Sequence, residues 1–206
     1  PAEKYKTKSN PRTKSKSRRV SYRNTLKKIS LKSFKNKKQV MNMAITKKMQ
    51  DALNKQINEE FYSAYLYLAM AADLEAKNLP GSAKWMYEQY KEEVEHGMKI
   101  YRHIIERGGT VTLDGIKKPK KTFKGLLDVF KQSLTHEKHI TKNINDLVDL
   151  AKKSNDHATF NFLQWFVDEQ VEEESTVEEV IGKIERVKSN DGALYMLDKE
   201  LGSRGE

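Results

Sequence analysis

The sequence has 206 residues, a formal net charge of +10 and no cysteine, which is enough chain for one domain with a hydrophobic core and an additional segment. The lack of cysteine excludes disulfides, zinc–thiolate sites, iron–sulfur clusters and cysteine nucleophiles. No apolar run approaches the roughly 18 to 20 residues that a membrane span needs, and the N-terminal region lacks the apolar stretch of a secretory signal.

The first 44 residues form a basic segment that differs from the rest of the chain. They hold 15 of the 39 Lys and Arg residues and one of the 29 acidic residues, Glu3, so their net charge is +14 and that of residues 45–206 is −4. Their apolar residues are too sparse to build a core. We therefore predict a disordered extension at 1–44 and a folded domain at 45–206.

Three interpretations of this extension remain open. It is an arm that binds nucleic acid or another polyanion through counterion release, or a Ser- and Lys/Arg-rich organelle-targeting segment. Alternatively, it is a non-native or upstream-translated extension, because Met41 and Met43 lie where the domain begins. We expect the protein to be cytoplasmic, or to be in an organelle if the segment is a targeting signal, with no membrane contact.

From Thr46 onward, apolar residues recur at helical spacing, which predicts an all-α domain of four long helices and a short fifth. Thr46 is the expected N-cap of the first helix, and Ser154-Asn155-Asp156 is expected to turn the chain and cap the fourth. Asn78-Leu79-Pro80-Gly81 is expected to form a short turn between antiparallel neighbours. The predicted helices span about 46–76, 82–107, 123–152, 156–188 and 193–201.

A long connection, from Gly108 to about Thr122, separates the second helix from the third. When extended, the connection reaches up to about 50 Å. The second helix, with about 26 residues, is about 39 Å long. The connection can therefore run the length of the bundle, so we predict a four-helix bundle with one long crossover.

Each of the four long helices carries a ligand-type residue on its apolar stripe. Glu93 and His96 are three residues apart, so they share one helix face and can bind one metal ion together. A single such Glu is usually an ion-paired carboxylate at a stripe edge, but four clustered Glu repel one another and persist where cations neutralise them. Oxygen-rich ligands with one imidazole and no sulfur suit iron or manganese. The set is Glu60, Glu93, His96, Glu137, Gln170 and Glu173.

The sequence around these residues resembles the non-haem ferritins of bacteria and archaea over about 45–203, and not over 1–44. The matching segments are Asn58-Glu59-Glu60-Phe61-Tyr62-Ser63-Ala64-Tyr65-Leu66-Tyr67, Glu92-Glu93-Val94-Glu95-His96, His136-Glu137 and Asn161-Phe162-Leu163-Gln164-Trp165-Phe166-Val167-Asp168-Glu169-Gln170-Val171-Glu172-Glu173-Glu174. The resemblance implies a ferritin-like bundle.

The resemblance also implies a role for each ligand-type residue. Glu60, Glu93 and His96 would hold a first iron. Glu93 would bridge to a second iron, held by Glu137 and Glu173 with Gln170 close by. Tyr67 would hydrogen-bond the site or donate an electron. A weaker third iron site would use Glu92, Glu169, Glu172 and Glu173, although a solvated acidic helix face explains Glu169 and Glu172 equally well.

The function implied by the resemblance is iron storage. A ferroxidase would oxidise iron(II) with dioxygen at the di-iron centre, and iron(III) would mineralise inside a homo-oligomeric cage of about 24 subunits, the closed symmetry usual for soluble oligomers. No haem is expected, because Val94 stands where haem-carrying bacterioferritins have a methionine. The short last helix is expected to pack at a symmetry axis. The rival functions are a di-iron peroxidase or oxygenase, and a polyanion-binding protein whose active part is the basic extension.

Overall fold

The computed structural model describes residues 44–203, so the predictions made for residues 1–43 lie outside the described residues. The division into an extension and a domain stays a prediction. The predicted all-α architecture is confirmed within the described residues. None of its helices combines the length and apolar character needed to cross a bilayer. The helices are α1 (Lys47–Glu75), α2 (Pro80–Glu106), α3 (Leu126–Lys153), α4 (His157–Val187) and α5 (Asp191–Leu201).

The predicted caps of α1 and α4 are both present. The Thr46 side chain accepts a hydrogen bond from the backbone N–H of Met49 at 3.3 Å, and Asp156 accepts one from that of Thr159 at 3.1 Å. The turns that follow α1 and α3 place Asn78 and Asn155 at positive φ, a conformation that asparagine tolerates better than most residues. Short turns of this kind set α1 against α2, and α3 against α4, as antiparallel pairs.

Two helix starts differ from the sequence prediction. Pro80 begins α2, where a turn was expected, because a proline at the first helical position gives up an N–H that has no helical partner in any case. The third helix begins at Leu126 rather than at 123, after Gly125 with φ of +146°. Phe123 lies before the helix but is still buried in the core.

The long crossover follows α1 from one end to the other, as its length predicted. Asn54 donates to the carbonyl of Thr110 at 3.1 Å, and Asn58 donates to that of Asp114 at 3.2 Å. At the far end, the Lys77 ammonium donates to the carbonyl of Phe123 at 3.0 Å. Consequently α3 starts at the end of the bundle where α2 also starts, and these two helices run parallel.

The core is divided into two apolar clusters, one at each end of the bundle. One contains Met70, Trp85 and Phe130, and the other contains Leu53 and Ile100. Between the two clusters, each long helix places polar side chains in the interior of the bundle. The bundle therefore has an ionisable middle between two apolar ends.

The last helix, α5, packs on its own chain. Leu197 and Leu201 are buried in the apolar cluster at the end where α2 begins, so the expectation that α5 needs a symmetry axis to bury its apolar face is wrong for these two leucines. Asp198 is also buried, and its carboxylate accepts from the N–H of Ser82 at 2.8 Å and from its hydroxyl at 2.6 Å. Since the N-cap residue of α2, Leu79, provides no side-chain cap, Asp198 caps α2 from α5.

Candidate metal centre

The six residues that the sequence singled out as ligands meet in the middle of the bundle. Two come from α2, two from α4 and one each from α1 and α3, and every one is at most 4% exposed. Their side chains face inward because each falls on the buried stripe of its helix. The six are Glu60, Glu93, His96, Glu137, Gln170 and Glu173.

Glu60, Glu93 and His96 form one close group. Each offers one ligand atom, and these three atoms lie within 4.8 Å of one another. His96 Nδ1 is 3.3 Å from Glu93 Oε2. The Oε2 atoms of Glu60 and Glu93 are both buried without a hydrogen-bond partner among residues 44–203. Leaving buried carboxylate oxygens unpaired is costly, and a cation between them removes that cost.

Glu137 lies across the centre on α3, and hydrogen bonds hold both of its carboxylate oxygens. The Tyr67 hydroxyl bonds with Oε1, and the Gln170 amide donates to Oε2 at 3.2 Å. The Ser133 hydroxyl is 2.8 Å from the hydroxyl of Tyr67. This arrangement fixes the orientation of the Glu137 carboxylate relative to the bundle axis.

Glu173 completes the centre from α4. The Gln89 amide of α2 donates to Glu173 Oε2 at 2.7 Å. Burial, followed by the charges of Glu137, Glu60 and Glu173, raises the pKa of Glu93 well above its usual range. Glu93 thus lies within the electrostatic reach of carboxylates from the three other long helices.

Burial is the main cause of the shifted pKa values of the side chains in the centre. Burial raises the pKa of Glu60 to about 7, although a hydrogen bond from Gln56 opposes the rise. Burial also raises the pKa of Glu137. At His96, burial and then the nearby Lys99 charge lower the pKa to about 4, which keeps the imidazole neutral at pH 7 with a lone pair free to bind metal. A divalent cation at the centre would favour the ionised carboxylates and so oppose the rise in their pKa.

Only some of the residues predicted for the third site lie close together in the structure. Glu169 offers an oxygen within 4.8 Å of ligand atoms of His96 and Glu173. Glu92 is half-buried and Glu172 is exposed, and neither belongs to that group. Of the four carboxylates named for this site, the structure therefore brings Glu169 and Glu173 into one group with His96, and leaves Glu92 and Glu172 outside that group.

Sequence reasoning did not assign roles to several side chains that support the ligands. Gln56 donates to Glu60 Oε1 at 3.0 Å, and Gln89 holds Glu173. Ser133 adjoins Tyr67, and the rings of Trp165 and His96 meet edge to face with centroids 5.4 Å apart. Gln56 could have been found from sequence, because it lies one helical turn before Glu60 on the same stripe.

Comparison with known proteins gives a consistent result. The sequence model of the Ferritin family, described as a ferritin-like domain, matches residues 50–187. A protein named bacterial non-heme ferritin from Staphylococcus epidermidis is 44% identical over 160 residues, which cover 78% of this chain and 96% of the relative. Proteins of the same name from Staphylococcus aureus are 41% identical over the same length and coverage.

Solved structures agree with these matches. A structure described as an open pore ferritin from the archaeon Archaeoglobus fulgidus superimposes with a TM-score of 0.77 at 43% identity, over 78% of this chain and 99% of the other. A structure described as a humanized archaeal ferritin gives the same TM-score at 45% identity, over 78% and 98% of the two chains.

Proposed function

This chain belongs to the ferritin family, and we propose that it stores iron by oxidising iron(II) with dioxygen at a pair of sites in the middle of the bundle. One observation carries the proposal. Four buried glutamates from four helices converge with one neutral imidazole, and two of the buried carboxylate oxygens have no hydrogen-bond partner among the described residues. Carboxylates in such number are stable together when cations neutralise them.

The first iron(II) is held by Glu60, Glu93 and His96. The short distances among their ligand atoms support this assignment. Glu93 bridges to a second iron(II), held by Glu137 and Glu173 with Gln170 close by. The bridging role is supported by the position of Glu93 among carboxylates whose charges all act on it.

Tyr67 serves the second site. Its hydroxyl bonds with Glu137, and burial followed by the Glu137 charge raises the pKa of Tyr67 well above its usual range, so the phenol keeps its proton. It orients the carboxylate, and as a phenol hydrogen-bonded to a proposed iron ligand it can supply an electron. Glu92, Glu169 and Glu172 form a weaker third site, for which the position of Glu169 beside His96 gives the best support.

The chemistry is a two-electron oxidation. Each of two iron(II) ions gives up one electron, and dioxygen takes both electrons together with two protons to leave as hydrogen peroxide. Iron(III) then moves from the centre and mineralises inside a cage of about 24 subunits, a closed assembly of the kind that soluble homo-oligomers favour. Iron is the substrate and cargo here. The protein carries no haem, in keeping with Val94 and with the names of its bacterial relatives, and acts in the cytoplasm.

The test is size-exclusion chromatography with light scattering and iron analysis, before and after iron(II) loading in air. We expect iron to co-elute with a particle of about 24 subunits. A monomer or dimer at neutral pH and moderate salt would refute the cage. Oxidation without retained iron would indicate a di-iron peroxidase or oxygenase instead. A Soret band in fixed ratio to subunits would overturn the absence of haem.

A further inference from the structure

A pocket of about 350 Å³ opens between α1 and α3, and residues of these two helices form its walls. Its apolar lining includes Ala52 and Leu147. Its charged side chains are two carboxylates, Glu59 and Asp146, and one ammonium, that of Lys55. Asp146 is ion-paired with Lys142 at 2.6 Å, so the carboxylate of this pocket that can attract a cation is that of Glu59.

A carboxylate and an imidazole approach each other at this pocket. Glu59 Oε2 and His139 Nε2 lie 3.3 Å apart, and the Asn143 amide is 3.2 Å from the same imidazole nitrogen. Two ligand atoms that each sit about 2.1 Å from one divalent ion are separated by about 3.0 to 3.4 Å. Both side chains are solvent-accessible, with 36% of Glu59 and 51% of His139 exposed. An ion from solution can thus reach both atoms without a change in the fold.

The inner side of the pocket touches the candidate metal centre. Gln56 lines the pocket, yet it is only 3% exposed, and its amide donates to Glu60 Oε1 at 3.0 Å. The other oxygen of Glu60 is buried and has no hydrogen-bond partner among residues 44–203. A single side chain, Gln56, therefore links the pocket to a ligand of the first iron site.

We propose that this pocket is an uptake site for iron(II), in which Glu59 and His139 capture the hydrated ion and Gln56 swings away from Glu60 to let it pass to the centre. The inference rests on the proposed function, since it supplies the substrate of the same di-iron centre. It assigns a metal-binding role to two residues outside the buried ligand set. The ion changes neither charge nor oxidation state during this transfer, so the step is ligand exchange alone.

The first test separates capture from oxidation. Iron(II) oxidation is followed by stopped-flow absorbance in the full chain and in Glu59→Gln and His139→Gln, from limiting to saturating iron(II). Because charged clefts raise capture rates by about ten- to a thousandfold, we expect the KM of each variant to rise about tenfold with kcat unchanged. Asp51→Asn is the control, as it removes an exposed carboxylate of the same helix that does not line the pocket, and it should behave like the parent.

The second test measures metal binding at the pocket without any oxidation of iron. Cobalt(II), used as the probe, is titrated anaerobically into Glu93→Ala and into Glu93→Ala combined with His139→Gln, and the bound ions per subunit are counted. We expect the double variant to bind one ion fewer. Since His139 is solvent-accessible, adding His139→Gln should leave the fold of the Glu93→Ala variant unchanged, as circular dichroism of both variants would verify.

The outcomes distinguish this proposal from the proposed function. If the parent does not oxidise iron(II) at all, the proposed function fails. If the parent oxidises iron(II) and the KM values of both variants equal that of the parent, the uptake site is wrong and iron(II) arrives from the α2–α4 side, where Glu169 adjoins His96. An unchanged cobalt count in the double variant would equally overturn the uptake site.

Discussion

The interior of the bundle is apolar at both ends and ionisable in the middle. At the ends, residues such as Leu53, Ile100 and Phe130 are fully buried. In the middle, on the same helix stripes, Glu60 and Glu137 are buried just as completely. Burial stabilises the fold at the ends and raises the pKa of carboxylates in the middle.

This contrast shows that the residues that stabilise the fold and the residues proposed to bind iron lie at different levels along the axis of the bundle, on the same four helices. The apolar ends hold the helices at a fixed spacing, and that spacing keeps the four carboxylates together when no cation is bound. Substitutions at the two levels should therefore affect different measurements.

Glu93→Ala should slow iron(II) oxidation more than any other single substitution. It removes the carboxylate proposed to bridge both irons, so the loss should be at least about 100-fold, the upper end of what loss of a residue that only orients metal ligands costs. Stopped-flow absorbance measures it. Glu95→Ala is the control, because Glu95 is on the same helix but has 70% of its side chain exposed. A Glu93→Ala variant that is as fast as the parent would mean that the site is wrong.

Leu53→Ala should have the opposite profile. It leaves a cavity in one apolar end, which should lower the free energy of unfolding by about 2–5 kcal/mol. Oxidation per folded subunit should stay at the parental level. Denaturant unfolding of the metal-free protein measures the first quantity, with Leu113→Ala, a 61% exposed position, as the control. Slow oxidation with unchanged stability would show that the two levels are not separable.

Asp198→Ala should have a smaller effect, limited to one end. It removes the cap that α5 supplies to α2, and losing a helix N-cap costs about 0.5–2 kcal/mol. We also expect α5 to become a preferred target in limited proteolysis. Lys199→Ala, at the adjacent exposed position, should change neither measurement. If Asp198→Ala unfolds like the parent, the hydrogen bonds to Ser82 contribute no net stability.

Deletion of residues 1–42 should have the smallest effect on the domain. The deleted segment contains none of the candidate ligands, so iron oxidation and cage size should match those of the intact chain, while the net charge falls from +10 to about −4. If the segment binds nucleic acid, intact cages should bind duplex DNA with an affinity that decreases steeply with salt and is strengthened by multivalency.

Gel-shift titrations of intact and truncated cages at two salt concentrations decide what the segment does. Equal binding by both forms would mean that the segment is not the contact. No binding by either form would favour a targeting segment or a non-native extension.

Helical periodicity predicted much of the fold. In α2, six residues that recur at helical spacing along one stripe, among them Gln89 and Glu93, are buried. In α3 helical spacing is a poorer guide, because Leu127 and Leu134, which recur at that spacing, are half-buried while Val129 and Ile140 are buried. A helix that packs against two neighbours buries a stripe wider than one row of residues, and periodicity shows where the row is centred but not how wide it is.

The parts that sequence could not predict are contacts between helices. Asp198 reaches Ser82 across 116 residues, and no local pattern predicts that a carboxylate in the last helix caps the second. The links from Gln89 to Glu173 and from Tyr67 to Glu137 likewise depend on how the helices are placed in space. For the centre, the sequence placed the six candidate ligands on the stripes that meet, while their roles toward iron stay a proposal.

The crossover along α1 has a consequence for how the centre forms during folding. Glu60, Glu93 and His96 belong to the hairpin of α1 and α2, which local contacts can assemble early. Glu137 and Glu173 belong to the hairpin of α3 and α4. Docking the second hairpin requires closure of the long connection, whose entropic cost grows only slowly with length, and it brings like charges together. A divalent cation already bound by the first hairpin would turn that repulsion into attraction. Iron(II) would then assist the docking of the two hairpins and so the folding of the domain that binds it.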